Sequence, residues 1–134
     1  MKILIADDQL IYRKTLKTML QAYGECVVVE DGEKAVQAFS EALYANKPFK
    51  FVLLDIDMPF MDGLEALVQI RLMEKKVHAP SLDIKEFACI VMQTNRDDPV
   101  SFMNAFKKGH CNGFITKPVS QEELLEKMKK HGLV

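Results

Sequence analysis

Five short apolar runs alternate with longer amphipathic stretches along the whole chain. The runs cover residues 2–6, 26–30, 49–54, 87–93 and 113–116. They are mostly continuous rather than alternating in polarity, which is typical of strands covered on both faces by helices. The pattern therefore predicts an α/β fold in which a βα unit occurs five times and the strands form a five-stranded, doubly wound parallel sheet.

The stretches between the runs have the apolar spacing of helices. We expect helices over residues 10–23, 31–45, 62–77, 99–108 and 121–131. Asp62 and Ser120 are the expected N-caps of the third and fifth helices, and residues 78–86 are expected to form a longer surface connection. The predicted core positions are Leu16, Met19, Leu20 and Tyr23 in the first helix, Ala35, Val36, Ala38, Phe39, Ala42 and Leu43 in the second, and Leu64, Leu67, Val68 and Leu72 in the third.

Size and charge limit the classes of function. A chain of 134 residues fits one domain with one core. Eighteen basic residues against 19 acidic ones give a net charge of -1, which removes the usual electrostatic argument for a nucleic acid or membrane partner. No run approaches the roughly 20 apolar residues of a spanning helix, and three widely separated cysteines indicate reduced thiols. We expect a single cytoplasmic domain covering residues 1–134, without a DNA-binding output domain.

Polar side chains suited to metal and phosphate stand where four of the runs end. Asp7 and Asp8 follow the first run, and Asp55, Thr94 and Lys117 end the third, fourth and fifth. The carboxyl ends of parallel strands share one crevice, so these groups should meet there. An acid pair before a helix is more simply a cap, but a third carboxylate nearby favours Mg²⁺. Lys117 would then contact phosphate oxygens or act as a counter-ion, and its bond to proline is a candidate cis bond.

Four motifs in order resemble the receiver domain of two-component response regulators, of the chemotaxis type. They are the acid pair at 7–8, the segment Asp-Ile-Asp-Met-Pro at 55–59 followed by Met-Asp-Gly at 61–63, Thr94, and Gly-Phe-Ile-Thr-Lys-Pro at 113–118. The resemblance covers essentially the whole chain. It implies a flavodoxin-like strand order of 2-1-3-4-5.

The resemblance also implies roles for the site residues. Asp55 would be the phosphoacceptor, taking a phosphoryl group from a sensor histidine kinase or a histidine phosphotransfer protein. Mg²⁺ would be bound by Asp8 and Asp55, by the backbone carbonyl of Asp57, and by Asp7 through water. Lys117 would neutralise a phosphoryl oxygen. Such a protein promotes only its own phosphorylation and dephosphorylation, so no enzymatic activity on other substrates is expected.

A switch is the second implication of the resemblance. The Thr94 hydroxyl would move toward the phosphate, and the Phe114 ring would turn inward. The surface of the fourth helix, fifth strand and fifth helix would then change its affinity for a downstream target protein. Phe102, Lys107 and Phe114 could meet the partner there, and core packing is the alternative for Phe102.

Three residues near the acceptor are expected to set the lifetime of the phosphoaspartate. Asn95 stands where the family usually has Ala or Gly, and its larger side chain could narrow access to the acceptor. Asp57 and Arg96 flank the expected path of the hydrolytic water and carry opposite charges. We hypothesise that they pair and shield the phosphoaspartate; two solvated side chains are the alternative.

Other functions remain open from the sequence. The chain could be a stand-alone regulator, or a relay intermediate that passes the phosphoryl group to a second histidine. In either role we expect a monomer or a weak homodimer. Asp55 and Asp57 also resemble the aspartate pair of haloacid-dehalogenase-like phosphatases. That family expects the pair after its first strand and Thr or Val two residues later, whereas here Pro59 takes that place.

Overall fold

The computed structural model describes residues 1–78, 87–94 and 110–134. The strands within these ranges are β1 (Lys2–Ala6), β2 (Glu25–Val29), β3 (Phe51–Asp55), β4 (Cys89–Thr94) and β5 (Gly113–Thr116). The helices within them are α1 (Leu10–Leu20), α2 (Gly32–Tyr44), α3 (Gly63–His78) and α4 (Gln121–Lys130). All neighbouring strands pair in parallel in the order β2-β1-β3-β4-β5, which confirms the predicted α/β fold and its flavodoxin-like order.

Some predicted features lie outside the described residues. They are the helix over 99–108 with Phe102 and Lys107, most of the connection over 78–86, and the side chains of Asn95 and Arg96. The predictions for these parts of the chain stay predictions.

Two layers of apolar side chains cover the two faces of the sheet. On one face, alternate strand residues such as Ile5 and Leu53 pack against α1 and α4. On the other face, the intervening residues such as Leu4 and Leu54 pack against α2 and α3. Every residue of β3 and β4 is buried. This explains why these runs are apolar without alternation until the polar residues at their ends.

Most ends of the described helices lie within one residue of the prediction, and two differences are larger. α1 ends at Leu20 rather than at Tyr23, because the Tyr23 amide donates to the Leu20 carbonyl in a tighter turn. In α3, Leu72 is exposed although we expected it in the core. The buried face of α3 runs through Leu67, Ile70 and Arg71 at helical spacing, and Leu72 falls outside that stripe. No helix in the described ranges is long and apolar enough to cross a membrane.

Side-chain caps stabilise the starts of three helices at the carboxyl end of the sheet. Asp62 Oδ1 accepts from the Glu65 amide at 2.8 Å, and Ser120 Oγ accepts from the Glu123 amide at 3.2 Å, as predicted. Asp31 caps α2 in the same way. Each cap is worth about 1 kcal/mol and fixes where the preceding loop must end.

A buried ion pair stabilises the opposite, amino-terminal end of the sheet. The Arg71 guanidinium donates to Glu74 Oε1 at 2.6 Å and to the carbonyls of Ala88 and His110. It also donates to Asn112 Oδ1 at 2.7 Å, so one side chain of α3 ties together the segments that lead into β4 and β5. Because both charges are buried, the pair depends on this full set of hydrogen bonds.

The three cysteines are free thiols in or beside the core, as the sequence indicated. Cys89 and Cys111 are buried and Cys26 is half-buried. Burial raises the pKa of the Cys89 thiol to about 11 and also raises the pKa of the other two, so all three are protonated at neutral pH.

Candidate functional site

The candidate site lies at the carboxyl edge of the sheet and continues the face that packs against α1 and α4. Side chains alternate along a strand, so every second residue belongs to the same face. Four polar side chains lie on this face, each two residues beyond the last apolar residue that its strand contributes to the face. They are Asp7, Asp55, Gln93 and Lys117, which follow Ile5, Leu53, Val91 and Ile115 respectively.

Lys117 joins the two buried acids. Its Nζ lies 2.9 Å from Asp7 Oδ2 and 3.2 Å from Asp55 Oδ2, and the ammonium also lies 4.3 Å from the centre of the Tyr12 ring. The Lys117 backbone amide donates to the carbonyl of Thr94 at 2.7 Å, and the bond to Pro118 is cis, as predicted. Burial alone would lower the pKa of Lys117, but its contacts with both acids outweigh burial and raise that pKa. The counter-ion expected from the sequence is therefore present.

Asp7 is completely buried and firmly held. Its Oδ1 accepts from the Gln9 amide at 2.9 Å, and its Oδ2 accepts from Lys117 and, at 3.4 Å, from Gln93 Nε2. Arg13 donates to the Asp7 carbonyl at 2.8 Å, which also fixes the backbone. These contacts place the Asp7 carboxylate before any ligand arrives.

Asp55 is the buried last residue of β3, with 4% of its surface exposed. Its Oδ1 accepts from the Asp57 amide at 3.4 Å. Burial, followed by the negative charge of Asp7, raises the pKa of the Asp55 carboxyl from 3.8 to about 7, although Lys117 opposes the rise. One ammonium between two carboxylates is thus insufficient to offset their burial and repulsion.

A third carboxylate completes an acidic cluster. Carboxylate oxygens of Asp7, Asp8 and Asp55 all lie within 4.8 Å of one another, and Asp8 is exposed at the edge of the cluster. Oxygen donors of this kind suit Mg²⁺, and the exposed member leaves room for the water that this ion retains. The side chain of Asp57 does not belong to this cluster, so its predicted part in metal binding rests on its backbone carbonyl.

The backbone around Asp55 is braced by close approaches. Ile56 donates its amide to the Gln93 carbonyl at 3.0 Å and accepts from the Gly63 amide at 2.9 Å. A Cβ at position 63 would lie only 2.1 Å from the Asp55 carbonyl oxygen, so this contact requires glycine. The motif Met-Asp-Gly therefore fixes the start of α3 directly against the backbone of Asp55.

Thr94 and Phe114 lie on neighbouring strands on the α2 and α3 face. Thr94 is the buried last residue of β4 and pairs with Thr116. Phe114 pairs with Met92, one pleat earlier, and is half-buried against the core of that face. Their predicted roles as a switch stay predictions.

Sequence reasoning missed two residues of the site. Gln93 was expected only as the end of a strand, although a glutamine after the apolar stretch 89–92 is itself a signal of a polar contact. Tyr12 was read as part of an amphipathic helix, and its place beside Lys117 depends on how α1 crosses the sheet.

The order of the sheet and this acidic edge define a class of protein. The sequence profile of the response regulator receiver domain matches residues 3–129. The chain belongs to the response regulator receiver family. Receiver domains bind Mg²⁺ at an acidic pocket, and the three clustered carboxylates fit that pocket. Family membership also favours the receiver interpretation over the haloacid-dehalogenase-like resemblance.

A curated relative and two solved structures are similar to the chain in sequence or in fold. The chain is 35% identical over 132 residues to the chemotaxis protein CheY of Listeria monocytogenes, covering 97% of each. It resembles a chain in the Borrelia burgdorferi complex of CheX, CheY, BeF3 and Mg²⁺, with a TM-score of 0.78 and 27% identity. The likeness covers 96% of this chain and 87% of that one. A similar fold occurs in the Saccharomyces cerevisiae complex of a histidine phosphotransfer protein with the Ssk1 receiver domain, with a TM-score of 0.81, 24% identity, and 98% and 88% coverage.

Proposed function

We propose that Asp55 accepts a phosphoryl group from the phosphohistidine of a sensor histidine kinase or a histidine phosphotransfer protein. The observation that carries this proposal is the geometry of the buried Asp55 carboxylate. Lys117 bridges it to Asp7, and the Asp8 carboxylate lies beside both. A nucleophile, a fixed cation and an oxygen-rich cation site thus meet at one point of a single receiver domain.

In the proposed reaction an Asp55 oxygen forms a bond to phosphorus while the phosphorus–nitrogen bond of the donor breaks and the imidazole leaves. Mg²⁺, when bound by Asp8, Asp55 and the backbone carbonyl of Asp57 with Asp7 acting through water, would reduce repulsion between the carboxylate and the phosphoryl oxygens. The acceptor is held for attack by the Asp57 amide and by the close contact of its backbone with Gly63.

Lys117 supplies the second positive charge. Its ammonium already contacts Asp55 Oδ2, so a small shift brings it to a phosphoryl oxygen on the same carboxylate. Its backbone bond to the Thr94 carbonyl keeps it at the edge of the sheet during this shift. Lys117 therefore serves first as counter-ion and then as stabiliser of the transferred group.

The proposed output is a change of surface on the side of β5. Thr94 would move its hydroxyl toward the phosphoryl group, and Phe114 would turn into the space that is released. Phe114 is half-buried, so both an inward and an outward ring position are compatible with its place at the edge of the core. The altered surface would bind a downstream target protein.

Labelling with a small phosphodonor tests the acceptor. Wild-type protein and the variants Asp55→Asn and Asp57→Asn are incubated with phosphoramidate and Mg²⁺, and base-labile phosphate is measured by mass spectrometry. We expect labelling of wild type and Asp57→Asn but not of Asp55→Asn. Undiminished labelling of Asp55→Asn, or no labelling of wild type by any donor, would contradict the proposal.

The lifetime of the phosphoaspartate tests the proposed shielding by Asp57 and Arg96. Asp57 is exposed and lies two residues beyond Asp55 in the sequence. We expect Arg96→Ala and Asp57→Ala each to speed decay of the labelled protein, and the double variant to decay no faster than either. Asn95→Ala should speed decay by opening access to water. Unchanged decay in both single charge variants would reject the pair.

Transfer profiling distinguishes an output regulator from a relay intermediate. Labelled protein is mixed with histidine phosphotransfer proteins, and the label is followed with time. Retention of the label on Asp55 supports an output role through a target protein. Rapid movement of the label to a second histidine would instead establish the relay role.

A further inference from the structure

Gln93 is a polar residue in a position that packing alone would fill with an apolar side chain. It is completely buried in β4, and its strand neighbour in the sheet is Asp55. The two preceding residues on the same face of this strand, Cys89 and Val91, belong to the core between the sheet and the helices α1 and α4. A glutamine here needs an explanation, because burying an amide costs free energy unless all its groups are paired.

Among the residues that the structure describes, only the Nε2 half of the Gln93 amide has a hydrogen-bond partner. Its Nε2 donates to Asp7 Oδ2 at 3.4 Å, whereas its Oε1 is buried and has no hydrogen-bond partner within the described ranges. A side chain kept for stability would have both polar atoms of its amide paired, since an unpaired buried acceptor is destabilising. Buried polar groups that violate this rule are found mainly at functional sites. The paired half of the amide contacts Asp7, which belongs to the acidic cluster.

The contact from Gln93 matters because Lys117, the charged donor to Asp7, is shared with Asp55. Lys117 bridges Asp7 Oδ2 and Asp55 Oδ2 with one ammonium. When Lys117 turns to a phosphoryl oxygen on Asp55, Asp7 Oδ2 loses its cationic partner. The Gln93 amide is then the remaining side-chain donor to that oxygen among the residues described. Being neutral, it can hold the carboxylate without repelling a bound cation.

Building on the function proposed above, we infer that Gln93 is a positioning residue for the cation site. It fixes the orientation of the Asp7 carboxylate toward Mg²⁺, and it continues to do so after Lys117 has moved to the phosphoryl group. Gln93 touches neither the phosphoryl group nor the cation in this role. It acts through Asp7, as partners of metal ligands do in other proteins.

The test is Mg²⁺ affinity, measured by amide chemical shifts during titration of the metal-free protein. In Gln93→Met, which keeps the volume and removes the amide, we expect affinity to fall by about 10-fold, the lower end of the range for such partners. The urea midpoint of the metal-free variant should be unchanged or raised, because the unpaired oxygen is gone. Met92→Leu, next to it on the opposite face, is the matched control and should leave affinity unchanged.

A double-mutant cycle with Asp7→Asn separates positioning from packing. In the Asp7→Asn background, Gln93→Met should change Mg²⁺ affinity by less than about two-fold, because the residue it acts through has been altered. The same loss in both backgrounds, unchanged affinity in Gln93→Met alone, or a fall in urea midpoint that parallels the loss of affinity would overturn the inference.

A further measurement uses only wild-type protein, so it does not depend on whether a variant folds. The side-chain amide protons of Gln93 should keep a hydrogen-bonded chemical shift during addition of Mg²⁺ and then of phosphodonor, and loss of that shift would also overturn the inference. Failure of wild type to accept phosphate would instead refute the function proposed for Asp55. Normal labelling with unchanged Mg²⁺ affinity in Gln93→Met would refute the role of Gln93 alone.

Discussion

Neutralising Asp55, the proposed phosphoacceptor, should stabilise the metal-free protein at alkaline pH. Burial and the charge of Asp7 raise the pKa of the Asp55 carboxyl from 3.8 to about 7. The folded state therefore binds this proton more tightly than the unfolded chain does. The free energy of unfolding is then highest below the unfolded pKa, falls as the pH rises between these two values, and levels off above the folded pKa. The substitution Asp55→Asn removes the titration.

The size of the effect follows from the pKa difference. At about 1.4 kcal/mol for each pKa unit, the rise from 3.8 to about 7 corresponds to a cost of about 4 kcal/mol for charging Asp55 at pH 8. This figure is a ceiling, because water and neighbouring side chains relax around a buried charge, and we expect roughly half of it to be observed. Asp55→Asn should therefore raise the free energy of unfolding by about 2 kcal/mol at pH 8, and by less than about 1 kcal/mol at pH 4.

Urea denaturation followed by circular dichroism from pH 4 to pH 8, in the presence of a chelator, measures this difference. Asp57→Asn is the control, since that carboxylate is exposed two residues away. Mg²⁺ should stabilise wild type at pH 8 and narrow its difference from Asp55→Asn. An Asp55→Asn variant that is less stable than wild type at pH 8, or that keeps the wild-type slope between pH 4 and pH 7, would refute the reasoning.

Three further substitutions test other contacts by urea denaturation. Lys117→Met leaves the buried acids without their ammonium, and it should cost about 3 kcal/mol at pH 8 and be partly rescued by Mg²⁺; an equal loss at pH 4 would contradict this. Arg71→Met should cost about 4 kcal/mol because Glu74 stays buried without its partner, and adding Glu74→Met should recover more than half; no recovery would argue against the pair. Gly63→Ala should cost about 3 kcal/mol and slow phosphorylation, because its Cβ meets a carbonyl oxygen. Gly113→Ala, where the nearest atom is a flexible lysine end 3.5 Å away, is its control, and equal losses would refute the steric argument.

Much of the fold could be predicted from local patterns. The bounds of β1 and β5 were predicted correctly, because each is a short apolar run that ends at polar residues. The predicted caps Asp62 and Ser120 were confirmed for the same reason: a cap is a contact within a few residues of sequence. The exposed Leu72 could not be foreseen, since the buried stripe of α3 includes Arg71, which a hydrophobic pattern does not count.

The acids and the lysine of the site were also predictable, because the ends of parallel strands meet at one edge. What the sequence could not show is which donor serves which oxygen. The sharing of Lys117 between Asp7 and Asp55 depends on the order of the strands across the sheet. The contact from Gln93 to Asp7 passes over an intervening strand, and no pattern within a single strand predicts it.

The four polar side chains of the site stand at alternate positions on strands whose inner residues form the core. Residues along a strand are about 3.3 Å apart, and successive side chains point to opposite faces. A shift of a strand by one residue would therefore move its functional group to the other face, and only a shift of roughly two residues would keep it on the same face. The residue spacing along the parallel strands thus fixes the positions that functional side chains can occupy at the edge of the sheet. A core substitution that tilts one strand slightly would shift one functional group relative to the other three. We therefore expect variation in the rate and lifetime of the proposed phosphorylation to arise as readily from residues such as Leu53 and Val91, deep in the sheet, as from the residues around Asp55.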